Sequence, residues 1–373
     1  MISHRLCLLW AISSPAFAAT LYVDTTDSSA FQTIQSAVNA SGSGDTIEIA
    51  DGTYAECIDT LGRSVSFRGT GLETTIIDAS GLCSNALSVY YGETVSVMDL
   101  TIRNAIGRGV YHYYSDLTLD TVRIDKSGAS DIAGGAMYVD GGTTRLLSAV
   151  LEDNEASHGG AIYLNPYSNL QITDSTIQNN YAAYEGGAIY DYWDSATTID
   201  STTFSANESG TSGGAIYAYA YSDYAISGSI FNDHLAGGEG GALSLYWPII
   251  VEIEDSEFTG NTAADGYVGG AIQMYVATTV EMTRNLFCGN AASYGGAVSD
   301  QWTSTTDVWT NNLFIENQAT IGGGVYRYAV YLGEFVNNTF AGNEGSTWGG
   351  GYSASYAYAD FRNNAVVYTT NGN

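Results

Sequence analysis

The feature that most constrains this chain is a glycine pair, then a small residue, then an aliphatic one, repeated nine times. The small residue falls at Ala136, Ala161, Ala188, Ala215, Ala242, Ala271, Ala297, Gly324 and Gly351, at intervals of 25 to 29 residues. A second column precedes each pair: an apolar residue with Asn three positions on, as in FSAN to Asn207, FTGN to Asn261, FCGN to Asn290 and FIEN to Asn317. His234 takes the Asn place in FNDH. A period of this size, held over most of a chain, marks a solenoid whose repeats cover one another's hydrophobic surface. Segments such as NLQITDSTI and TVEMTRNLF alternate apolar and polar residues and are rich in β-branched types, which is strand periodicity. Two or three short strands per repeat, broken by Gly and Asn turns, describe one coil of a parallel β-helix.

Each column has a mechanical reason. Glycine takes positive φ and allows close backbone approach, so the pair marks a corner. The third residue points into a narrow interior and must be small. Ile162, Ile189, Ile216, Leu243, Ile272 and Val298 follow it into the core. The aromatic of FxxN is expected to stack on its copies, and the Asn to adopt αL geometry and bond its neighbours in a ladder. Phe31, Ile34, Ala37 and Val38 lie at helical spacing, so a short amphipathic helix is expected across the N-terminal end of the rod. The chain divides into a cap over residues 19–52 and an all-β, right-handed parallel β-helix over 53–373. That body holds about twelve coils of ~27 residues, the last incomplete.

The first eighteen residues read as a signal peptide: Arg5, then apolar Leu6–Ile12, then Ala16-Phe17-Ala18 as a cleavage site. Export follows, and no later run reaches the ~20 apolar residues of a membrane helix. Forty acidic residues stand against eleven basic ones, with Lys126 the single lysine. Nucleic acid and anionic membranes are poor partners for such a surface. Calcium is compatible with its carboxylates, though no spacing defines a site. Cys7 leaves with the signal, and Cys57 and Cys83 lie 26 residues apart, one repeat length. They are expected to bridge adjacent coils, leaving Cys288 as a buried thiol.

The opening FQTIQSAVNA…GDTIEIADGTYAE resembles the start of pectin-lyase-like right-handed β-helices, pectin esterases included. The GGA[ILV] and FxxN columns resemble the repeats of the polymorphic outer membrane proteins, a family of chlamydial adhesins, and of exported bacterial β-helix proteins. The resemblance covers nearly all of the mature chain. It implies a secreted or outer-membrane surface protein with an adhesive role. The adhesins' C-terminal barrel segment is not in this sequence, which stops inside a coil at Asn373, so either a partner covers that end or the chain is a fragment of a longer one, and the fragment is expected.

An enzyme is the alternative, because several β-helix families are polysaccharide lyases, esterases or hydrolases. The arginines are scattered, no Asp-Asp pair or esterase-like DFIFG strand occurs, and SHGG at Ser157–Gly160 is a weak echo of a hydrolase GHG. No catalytic residue and no metal ligand is nominated. The feature left over is aromatic. Two positions beyond the small residue lie Tyr138, Tyr163, Tyr190, Tyr217 and Tyr326, and four beyond lie Tyr192, Tyr219, Tyr246, Tyr275 and Tyr328. Trp193, Trp247 and Trp302 come one position further. Strand alternation puts both tyrosine columns outside. Two readings follow: the rings stabilise neighbouring strands, or they form a stripe that binds a glycan or a cell-surface protein.

Overall fold

The computed structural model describes residues 18–303 and 306–367. All of the expected signal peptide but Ala18 lies outside them, as does the end of the last coil. The strands pair in parallel, each with its equivalent one coil earlier and one coil later, and 35 of them form one continuous hydrogen-bonded sheet. Strands stacked on one face run from Thr20–Val23 to Ala359–Arg362, and the rod makes about 13 turns, one more than the repeat count predicts. Central coils share one plan. Ile189–Asp191 leads to Ala196–Asp200, then to Thr203–Ser205 and the short Glu208–Ser209, before the next glycine pair.

Four corners per coil reverse the chain, and each uses a residue with positive φ. In the coil from Gly186 these are Gly186 (68°), Asp194 (50°), Ser201 (50°) and Ala206 (49°). The first glycine of each pair supplies the sharpest turn. The second has a different reason: a Cβ on Gly187 would collide with the Gly214 carbonyl of the next coil. The ladder asparagines are not themselves the αL residues, as the sequence suggested. The residue before each takes that conformation, for example Asp153, Asn179 and Glu316. The Asn side chain is thereby aimed along the rod axis. Asn180 Oδ1 accepts from both the backbone N–H (3.1 Å) and the amide (3.0 Å) of Asn154, while its own amide donates to the Leu151 carbonyl at 3.0 Å.

A second ladder, not foreseen, runs through Ser175, Thr202, Ser229, Ser256, Asn285, Asn312 and Asn338, each accepting from the backbone one coil before. Between the ladders Phe204, Phe231, Phe258, Phe287, Phe314 and Phe340 stack with ring centroids 4.7–5.1 Å apart, all buried. At the N-terminal end a helix over Ile34–Ala40 is capped by Thr33, whose side chain accepts from Ser36. It buries Ile34, Ala37 and Val38 against the first coil. Phe31 precedes it, bridged to Val23. Cys57 and Cys83 form a disulfide between coils, with Cα atoms 6.3 Å apart. Cys288 is half-buried rather than buried, because it stands on the outward side of its strand, beside Thr259 and Ile315.

Candidate binding face

The strand after each glycine pair carries the aromatic columns. Register places Tyr111, Tyr138, Tyr163, Tyr190 and Tyr217 directly above one another. Their rings are nearly parallel, with successive centroids 5.8, 5.1, 5.0 and 5.4 Å apart. The column then breaks, since Ser244, Gln273 and Ser299 occupy the next slots before Tyr326 resumes it. Aromatic contact continues by a sidestep: Tyr246, two residues beyond Ser244, lies 5.8 Å from Tyr217 and 5.5 Å from Tyr275.

Residues at and just before the glycine corner overhang this stack. The Arg108 guanidinium sits 4.6 Å from the centre of Tyr138. His158 meets Tyr184 face-on and Tyr190 edge-on, both at 5.1 Å, and Glu239 accepts a short hydrogen bond from the Tyr246 hydroxyl. Burial accordingly pushes the Tyr163, Tyr190, Tyr217 and Tyr246 phenols upward.

This corrects the expectation of an open stripe. Tyr190 is only 9% exposed, because Tyr163 and Tyr217 sandwich it and His158 covers its edge. In the whole column the ring faces are consumed by one another, so only edges and hydroxyl tips reach solvent. A sugar ring cannot lie flat on such a column. Tyr326 and Tyr328 are likewise half-buried; Trp302 lies against Tyr328 at 5.6 Å.

The exposed aromatics gather at the next corner. Tyr192 is 43% exposed and stacks on Tyr219 at 6.2 Å. Trp193 meets Tyr221 edge-on at 4.9 Å, and Tyr219 meets Trp247 at 5.8 Å. The three tryptophans are not one column: Trp247 (φ 48°) and Trp302 (φ 62°) occupy the αL position itself, whereas Trp193 precedes Asp194, which holds it in that coil. Tyr114, Tyr167 and Tyr221 also sit at αL corners. Bulky residues rarely adopt this conformation, and it turns their rings away from the rod. A hollow of about 270 Å³ opens there between Tyr221, Trp247, Ile249, Val276 and Thr278. Tyr167 and Tyr221 belong to this edge and escaped the sequence reading, although their spacing from the glycine pairs was available.

The two carboxyls pushed most strongly upward lie elsewhere, inside the rod. Asp191 is fully buried, accepts from the Tyr224 hydroxyl at 3.0 Å, and is pushed by burial up to about 6. Asp307, also buried, is pushed up to about 7 by burial and the neighbouring Asp300, against the pull of Arg327, which contacts Asp307 at 2.7 Å and Asp300 at 3.0 Å. Neither aspartate reaches a solvent-borne substrate, so these shifts report packing rather than catalysis.

Ser157, His158 and Glu185 form a triad-like row on the surface, with His158 3.1 Å from each partner. The serine's single proton is directed to the Ile132 carbonyl at 2.7 Å, so it is not passed to His158 and the hydroxyl is not activated by it. The His158 hydrogen bond holds the Glu185 carboxyl below its usual range. Among the described residues no group of three or more His, Cys, Asp or Glu side chains is placed to hold a metal ion. No helix among them is long and apolar enough to cross a membrane.

Residues 108–261 match the family model described as a right-handed β-helix region, and the fold is a right-handed parallel β-helix. No protein of curated function matches the sequence. Among solved structures, the chain is similar to a mannuronic-acid-specific family 6 polysaccharide lyase from human gut microbiota, with 12% identity, coverage of 92% of this chain and 87% of that one, and a TM-score of 0.41. The A-module of an Azotobacter vinelandii mannuronan C-5 epimerase gives 14% identity, coverage of 87% and 93%, and a TM-score of 0.40. A pectin methylesterase gives 12%, 65% and 79%, with a TM-score of 0.36. No residue role is carried over from them.

Proposed function

We propose that this chain is a non-catalytic, exported surface protein that holds a partner, a glycan or a protein of a cell surface, against its aromatic corner. The observation that carries the reading is the line of exposed rings from Tyr192 and Trp193 through Tyr221 to Trp247, the last two held in αL geometry. Strained bulky residues on an open edge are expensive to keep for packing alone, and exposed Tyr and Trp dominate contact surfaces. The stacked column behind the edge supplies a rigid backing. Export rests on the N-terminal signal-like segment, and an outer-membrane or extracellular location on the resemblance of the repeats.

The test is binding without turnover. The protein is incubated with a panel of neutral and acidic polysaccharides and with whole cells, and bound protein and released reducing ends are both measured. Retention on a ligand with no released ends, lost in a folded variant carrying Trp193→Ser, Tyr221→Asn and Trp247→Asn, is the expected result. Asn is chosen at the two αL sites because it tolerates that conformation. Release of oligosaccharides that depends on one or two carboxylates would establish the enzymatic alternative instead.

A further inference from the structure

Between Arg145 and Arg284 the chain contains no lysine or arginine, yet it carries eighteen aspartates and glutamates. This belt forms the central coils, the same ones that hold the aromatic corner. Its two histidines add no free cation, since His158 is paired with Glu185 and His234 is buried. The first cation beyond the belt, Arg284, is already bonded to Asp255 at 2.6 Å and Glu254 at 3.0 Å.

On the strand that leaves the corner the belt has a defined shape. Glu252 and Glu281 are register neighbours on adjacent coils, both exposed and both pointing outward. Like charges placed so repel each other. With Glu254 they rim a second hollow, of about 230 Å³, whose floor is the small Ala225. The apolar hollow ends at Ile249 and the acidic one begins at Glu252, three residues or about 10 Å along the strand.

We infer that these paired hollows dock a basic polypeptide segment in extended form, with an apolar side chain against Trp247 and Ile249 and an arginine or lysine over Glu252 and Glu281. The inference rests on the reading of the aromatic corner as a contact surface and names the partner's chemistry. Charge complementarity selects the occupant: a field of one sign over five coils draws in cations and repels polyanionic sugars. The exposed indole of the apolar hollow adds attraction for a guanidinium through its π face. A polypeptide fits better than a lone cation, because an apolar residue and a cationic one two positions on project from the same strand face about 7 Å apart, and the long arginine or lysine stem covers the remainder of the ~10 Å between the hollows.

The probe is a fluorescein-labelled peptide repeating Leu-Ser-Arg-Ser, which sets leucine and arginine on one face of an extended strand, with a control in which every arginine is glutamine, titrated into the full chain by fluorescence anisotropy. The arginine peptide should bind and the glutamine peptide should not. Raising NaCl from about 50 to about 300 mM should weaken binding at least tenfold. The variant Glu252→Gln/Glu281→Gln should lose tenfold or more, and Trp247→Asn a comparable factor. Equal binding of the two peptides, indifference to salt and to the glutamate variant, or binding that appears only with added calcium would each overturn the proposal. If Trp247→Asn abolishes capture of a glycan or cell surface while the charge arms change nothing, the contact edge survives and the basic partner is rejected. If neither arm responds, both readings fall.

Discussion

Replacing His234 with Asn should stabilise the protein, and more so in acid. His234 interrupts a ladder otherwise built of asparagines. Its Nδ1 accepts the Asn207 backbone N–H at 3.0 Å, so the ring proton sits on Nε2, which is buried with no hydrogen-bond partner. Asn207 also loses a bond: its amide reaches the Ile177 carbonyl at 2.8 Å but lacks the acceptor that Asn154 finds in Asn180. The substitution removes one orphan donor and restores the ladder bonds, which is worth about 1–3 kcal/mol at neutral pH. Burial also pushes the imidazole down to about 4, despite the nearby Asn207 and Phe204 carbonyls. A base whose folded-state value lies below its unfolded value of 6.5 is protonated first in the unfolded chain. Stability is therefore lost as pH falls below 6.5, and the loss is complete only below 4. By linkage this amounts to roughly 2 kcal/mol at pH 5. His112 titrates alike in both proteins and cancels. Urea denaturation of wild type and His234→Asn at pH 7.5 and pH 5 measures the difference, which should widen by about 2 kcal/mol on acidification. A variant less stable at pH 7.5, or a gap that does not grow, refutes the reasoning.

Asp191→Asn should act with the opposite pH sign. The folded carboxyl titrates near 6 against 3.8 unfolded, so it weakens the fold above pH 6 and ceases to do so as pH falls towards 4. The variant should gain up to roughly 3 kcal/mol at pH 7.5 and little at pH 4, read from the same urea curves. Gly187→Ala should fail to fold or lose several kcal/mol, since its Cβ meets a backbone carbonyl and no side chain can yield; a near-native melting temperature would contradict the corner geometry. Phe258→Ala, in the middle of the buried stack, should cost about 3–5 kcal/mol by thermal or chemical melting. Replacing Cys57 and Cys83 with Ala should lower the stability of the N-terminal coils by up to about 3.5 kcal/mol, seen as faster hydrogen exchange confined to that end. Uniform exchange along the rod would show that the bridge acts elsewhere.

The sequence disclosed what every coil repeats with the same letter. Glycine pairs, the small residue behind them, the phenylalanine stack and the asparagine ladder were all legible, because stacking selects one residue type at one place. The second ladder was hidden because Ser175, Thr202 and Asn285 do one job with three residue types. The tyrosine columns were found, but alternation says only that a side chain points outward, not what lies over it. His158, itself stacked on Tyr184, and the neighbouring rings cover Tyr190, and only the packing of the loop before the glycine pair shows this. The buried Asp300, Asp307 and Arg327 carry no mark of burial in the sequence, since nothing in a single coil announces that Asp300 and Asp307 converge on an arginine of the next coil.

The in-register ladders make the rod divisible. Ala188 and Ala215 occupy equivalent places 27 residues apart, and the strands between them, with Tyr190, Tyr192 and Phe204, have counterparts one coil on, His234 standing for Asn207 in the ladder. Cutting out that interval would join like to like, shortening each column by a single rung and the rod by one strand spacing of about 4.8 Å. Lengthening follows by the same rule. A lineage can thus adjust how far this surface extends, and how many rings and carboxylates it presents, by duplicating or losing whole rungs without redesigning any contact within them.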